Sequence, residues 1–153
     1  MMTDIRLLIE KLKDAGGDIY WLGSASRGSI ERLQELLHTR LPLSLQKFLE
    51  EYGGGGIVGE EISGIEDNNP SLDYRGTIYG DTMLSRSDYG LPLNLIVVYL
   101  GSDDVVLCID TNLFTGDECP VVSFDVFKKA TKHLANTFDE FLMDYLTLRI
   151  NRV

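Results

Sequence analysis

The chain is short of the residues that staple, ligate or span. It has two cysteines, Cys108 and Cys119, too few for a disulfide scaffold, and both fall in apolar, strand-like runs where a reduced thiol acts as a small hydrophobe. Its two histidines, His38 and His133, are read in separate helical regions as surface imidazoles. No C-x-x-C or H-x-x-x-H spacing occurs, so no metal site is expected. No apolar run exceeds the six residues from Leu95 to Leu100, against about 20 for a bilayer span. Asp4, Arg6 and Glu10 interrupt the stretch a signal peptide would need, so the expected compartment is the cytoplasm.

Cations are scarce in the middle of the chain. Residues 50 to 125 carry fifteen acids against two bases, Arg75 and Arg86, for a local charge of −13; the remainder is +3 and the whole chain −10. A polyphosphate needs cations to displace its counterions, so nucleic acid and anionic membrane are excluded as partners and a basic protein is favoured. The competing account is plain solubility, an acidic coat without a partner.

What is present is enough for a core. The 153 residues are 44% hydrophobic, with seven Tyr, six Phe and one Trp, which excludes disorder and collagen. Two domains of about 75 residues would each be marginal, and no linker divides them, so residues 1–153 are read as one domain. Ile5, Leu8, Ile9 and Leu12 form one helical stripe stopped by Gly16-Gly17. A second helix follows Ser26 as N-cap and buries Ile30, Leu33 and Leu37. A third starts at Pro42, buries Leu45, Phe48, Leu49 and Tyr52, and ends at Gly53 in a left-handed cap. Strands are expected at Ile57 to Ile65, at Thr77 to Tyr79 as a short edge, and at Pro120 to Phe124. Leu95 to Leu100 and Val105 to Ile109 read as a hairpin at the centre of the sheet. Glu66 to Tyr74 is a loop and Asp81 to Tyr89 a short helix. A Thr137-x-x-Glu140 capping box opens the last helix. The fold class is α+β, with helices at both ends and a mostly antiparallel sheet between them.

No enzyme signature emerges. Gly53 to Gly56 leaves a helix rather than entering one and is flanked by Glu50, Glu51, Glu60 and Glu61, so a phosphate would meet negative charge. Asp110, Asn112, Asp117 and Glu118 lack the glycine and ligand spacing of a calcium loop. Catalytic residues and cofactors are therefore expected to be none.

The order of motifs resembles the SUKH superfamily, which includes the fungal Smi/Knr cell-wall assembly regulators, and most of all its small bacterial YobK-type members. The likeness runs over residues 20–146. It is carried by Ala25-Ser26 before Ile30, Leu41-Pro42, Phe48-Leu49, Tyr52-Gly53-Gly54 and Tyr89-Gly90-Leu91-Pro92. It continues through Cys108-Ile109-Asp110-Thr111-Asn112 and Gly116-Asp117-Glu118-Cys119-Pro120-Val121-Val122 to Phe138 and Phe141-Leu142. One departure is Ser29, which stands where the family places an acid three positions after the capping serine. The resemblance implies function by binding: an immunity protein that neutralises a cognate secreted toxin, often a nuclease with a basic cleft. The alternative it implies is a non-catalytic regulatory scaffold of the Smi/Knr type.

Fifteen acids cannot all be buried beside two bases, because an unpaired buried carboxylate costs several kcal/mol. The expected charged surface is Glu60, Glu61, Glu66, Asp67, Asp73, Asp103, Asp104, Asp117 and Glu118, with Tyr74 and Tyr79 as aromatic anchors. The sequence leaves the oligomeric state open.

Overall fold

The computed structural model describes residues 2–101 and 105–151, with side chains from Asp4 onward. Helix α1 (Met2–Asp14) buries Ile5, Ile9 and Leu12 and stops at Gly16, whose φ of 87° a Cβ would oppose. Strand β1 (Ile19–Trp21) follows, which the sequence reading missed. Helix α2 (Arg27–Leu37) starts where the Ser26 side chain accepts from the Ser29 N–H, and it buries Ile30, Leu33 and Leu37.

Helix α3 (Leu43–Glu51) borrows its cap. Pro42 has no side-chain acceptor, so the Glu118 carboxylate reaches across and takes the Ser44 N–H at 2.9 Å and the Ser44 hydroxyl at 2.7 Å. At the other end Tyr52 closes the helix, and Gly53 at φ 77° turns the chain away.

The single strand expected at Ile57 to Ile65 is a hairpin of β2 (Gly55–Ile57) and β3 (Glu60–Ile62). Val58 and Gly59 both have positive φ, 51° and 82°, as a tight two-residue hairpin turn requires. With β1 these strands form a three-stranded antiparallel sheet in the order β1-β2-β3.

A single 3₁₀ turn, Glu66–Asn68, lies in the loop that leads to α4 (Ile78–Tyr89). The edge strand expected at Thr77 to Tyr79 is not there. Thr77 is the N-cap of α4, its hydroxyl oxygen accepting from the Gly80 N–H at 2.9 Å. The β-prone Thr-Ile-Tyr run lost to that cap; of strand character only a parallel bridge between Gly64 and Thr77 survives.

The second sheet is antiparallel in the order β4 (Leu95–Leu100), β5 (Val105–Asp110), β6 (Val121–Asp125), β7 (Ala130–Ala135). The β4–β5 hairpin pairs as expected, but only β5 is central; β4 ends the sheet. It is nevertheless covered, with Leu95 to Val98 buried. Its register shifts between Val97 and Tyr99, and the Val98 carbonyl accepts from the Ser63 N–H at 2.8 Å, which ties the two sheets together. Both faces of this sheet carry a core. On one side Ile96, Val98, Ile109 and Val121 meet the helices. On the other Leu95, Val97, Val106, Cys108, Val122 and Phe124 pack beneath Leu91 and Tyr89. Unbroken apolar runs such as Leu95 to Val98 belong to strands covered on both faces.

His133, read as helical, lies on β7, and His38 is the left-handed cap that ends α2. Helix α5 (Phe138–Ile150) begins as expected, with the Thr137 side chain accepting from the Glu140 N–H at 3.1 Å, and it packs against α1. An aromatic chain of Trp21, Tyr52, Phe48 and Phe138 joins the first sheet, α3 and α5, with ring centroids 4.4, 5.7 and 5.4 Å apart in turn.

Candidate functional site

The first sheet and the loop after it build an acidic face. In register, Tyr20 of β1 lies opposite Gly56 of β2, and Gly56 opposite Glu61 of β3. A Cβ at Gly56 would fall 2.1 Å from the Tyr20 ring, so the missing side chain lets the ring lie across β2. The phenol then reaches Glu61 and donates to Oε1 at 2.8 Å. That hydrogen bond to a carboxylate, then partial burial and the charges of Glu61 and Glu66, raise the Tyr20 pKa, so the hydroxyl stays a donor. Half of the Tyr20 side chain, 54%, remains exposed beside the carboxylate.

Glu61, Tyr20 and Glu66 line a small pocket of about 60 Å³ with Arg75, Gly76 and Thr77. The loop leaves the pocket wall at Glu66 and returns to it at Arg75, carrying the exposed Asp67, Asp73 and Tyr74 between. It is held at both ends. Asn68 Oδ1 accepts from the Ser26 N–H at 2.9 Å and the Asn68 carbonyl from the Ser29 hydroxyl at 2.8 Å, which pins the loop on the N-terminus of α2. Asp67 and Asn68 both take left-handed φ, 54° and 52°, a conformation Asp and Asn tolerate. The serine that departs from the family pattern, Ser29, is one of these fasteners. At the far end, a Cβ at Gly80 would fall 2.3 Å from the Tyr74 carbonyl, so Gly80 allows α4 to sit against the loop backbone.

Beneath the pocket is Asp81, buried in the first turn of α4. It accepts from the Ser63 hydroxyl at 2.6 Å and the Gly76 N–H at 3.2 Å, and Arg75 Nε lies 3.5 Å away. Burial pushes its pKa up against the pull of these three partners, and the Glu61 charge adds to the rise. Arg75, itself mostly exposed, therefore stands between a buried carboxylate and an exposed one.

Of the residues expected from sequence, Glu61 and Glu66 line this pocket, and Asp67, Asp73 and Tyr74 are exposed on the loop that runs from Glu66 to Arg75. Glu60 turns the other way by strand alternation, accepts from the Tyr145 hydroxyl at 3.1 Å and pairs with Arg149. Tyr79 is half-buried in α4 against the core. Asp117 lies by Arg40 at 3.7 Å, and Glu118 caps α3. Both thus sit at the N-terminal end of a nine-residue helix whose C-terminal end leads into β2. Asp103 and Asp104 lie outside the described residues. The sequence reading missed Tyr20, Arg75 and Asp81. The only sequence hint of Tyr20 was a β-prone Tyr-Trp pair between glycines.

Cys108 and Cys119 are buried and free. Burial pushes both thiols up, Cys119 to about 12. A thiol held protonated is a poor nucleophile. Among the described residues, no group of three or more His, Cys, Asp or Glu side chains is placed to hold a metal. No helix is long and apolar enough to cross a membrane.

The described residues form an α+β domain with exposed carboxylates and tyrosines on its first sheet and on the hydrogen-bonded loop that follows. The SUKH_5 family model, described as SMI1-KNR4 cell-wall, matches residues 5–147. The chain belongs to this family, and membership supports a protein-interaction role of either the immunity or the Smi/Knr regulatory kind.

Proposed function

We propose that this chain is an immunity protein that binds and neutralises a cognate toxin. The toxin's basic surface, such as a nuclease cleft, would be held against Glu61, Glu66, Asp67 and Asp73, with Tyr20 and Tyr74 as aromatic anchors. The observation that carries the reading is the fastened 66–77 loop beside the first sheet: three exposed or half-exposed acids and Tyr74 on the loop, with Glu61 and Tyr20 on the adjoining strands, the loop tied down by Asn68 and Thr77. Family membership supplies the interaction role. Preorganised loops on a rigid scaffold lose little entropy on binding. Opposite charges accelerate encounter, and large rigid aromatics supply much of the affinity.

The test is capture and rescue. The tagged chain is used to isolate its partner from cells of the source organism, and the partner is then expressed alone and together with the chain. The reading requires that the partner arrest growth alone and that co-expression restore it. A captured partner that is harmless when expressed alone would favour the regulatory scaffold instead.

A further inference from the structure

The segment that forms the opposite edge of the second sheet carries charge of the other sign. Residues 126–137 hold three lysines and no acid in a chain whose net charge is −10. They form the β6–β7 turn and β7 itself. Ala130 to Leu134 is exposed residue after residue, and Phe127 at the turn is 80% exposed. β7 ends the sheet, so alternate backbone N–H and C=O groups point away from β6, the arrangement that accepts another strand. Asp125, the adjacent acid, spends its Oδ1 on the Phe127 and Lys128 N–H groups at 2.9 Å each. Lys129 donates to the Tyr89 carbonyl, which leaves Lys128 and Lys132 as the exposed cations.

We propose that β7 is a docking edge for an extended, acidic segment of another protein, added antiparallel or parallel as a fifth strand. Charge selects the occupant. A two-fold pairing of β7 with a second copy across its middle would bring the two Lys132 side chains together, and like charges directly opposite destabilise a pair. An acidic strand meets Lys128 and Lys132 favourably, and His133 and Thr131 offer polar contacts on the other face of β7. The register shift of the β6–β7 pair lies at Val121/Val122, beyond this stretch, so Ala130 to His133 stays regular. β4, against which the acidic face is built, is three strands away, about 14 Å. The site is thus separate from the proposed toxin face and does not rest on it.

The probes are blocked eight-residue peptides on the full chain: one alternating Val and Glu, its Val/Lys counterpart, and two Val/Glu forms N-methylated along one edge or the other. Amide exchange at residues 130–134 and peptide Kd are read by NMR at low salt. The proposal requires that the Val/Glu peptide slow exchange at 130–134, that the Val/Lys peptide not do so, and that one N-methylated form lose binding while the other keeps it. Lys128→Glu with Lys132→Glu should weaken the Val/Glu peptide about tenfold. Unchanged exchange, equal binding of both peptide charges, or full binding by both N-methylated forms would overturn it. So would a concentration-dependent dimer that protects 130–134 without peptide.

Discussion

Asp81 shows at single-residue scale how the acidic face is supported. Its ordinary neighbours in sequence gave no reason to separate it from the other fourteen acids of the 50–125 stretch. Only the fold places Ser63, Gly76 and Arg75 around it. Because burial raises its folded-state pKa, the folded state holds this proton longer than the unfolded state does. Both states are protonated below the unfolded value, about 3.9, so there is no penalty there. As pH rises from there through the raised folded value, stability is lost, and it levels off above. Relative to Asp81→Asn, the protein should therefore lose stability on going from about pH 4 toward neutrality, measured by urea unfolding at a series of pH values. A difference that stays flat or grows in favour of the wild type would contradict this. The cysteines give a second expectation. With both thiols buried and pushed up, neither should react with a disulfide reagent at pH 8 in the native protein, and both should react in denaturant. Their burial was legible from their apolar neighbours; the hydrogen-bonded role of Glu118 was not, because its partner Ser44 is 74 positions away.

Elements were legible in proportion to how local their causes are. Helices α2, α3 and α5 were read correctly because their apolar stripes and most of their caps lie within a few residues. The misreadings at Thr77 to Tyr79 and at Ile57 to Ile65 have one physical origin. A run of β-prone residues marks a half-buried segment, but a capping hydroxyl at Thr77 or a turn at Val58-Gly59 decides what the segment becomes. β7 was missed because its Ala-Thr-Lys-His-Leu-Ala sequence is exposed and has no apolar alternation to read. Two of the four glycines, Gly53 and Gly54, take part in a close backbone crossing with Gly64. A Cβ at Gly64 would lie 1.8 Å from the Gly53 carbonyl oxygen, with no positive φ to blame. Gly64→Ala should cost about 3 kcal/mol or more or prevent folding. Gly16→Ala, which meets nothing within 4 Å, should cost about 1 kcal/mol for its left-handed φ alone. Equal costs in thermal or urea unfolding would refute the crossing argument. The borrowed cap predicts that Glu118→Ala destabilises α3 by about 1–2 kcal/mol.

At the scale of the whole molecule, the chain is electrically lopsided. Carboxylates crowd the first sheet and the 66–77 loop, and lysines mark the far edge of the second sheet. The −13 charge of residues 50–125 was visible in the sequence, but its division was not. The fold sets Glu61 and Glu66 around one pocket, leaves Asp67 and Asp73 exposed on the loop beside it, ties Glu60 to Arg149, and uses Glu118 to cap α3. The toxin face proposed for this chain is thus a matter of placement rather than of acid count. Its most direct test is the association rate of the captured partner at two salt concentrations, for wild type, for Glu66→Lys with Asp67→Lys and Asp73→Lys, and for Asp117→Lys at the other end of α3. The triple variant should lose on-rate by at least about tenfold and lose most of its salt dependence, while Asp117→Lys associates as the wild type does. Unchanged association in the triple variant, or a larger loss from Asp117→Lys, would place the partner elsewhere.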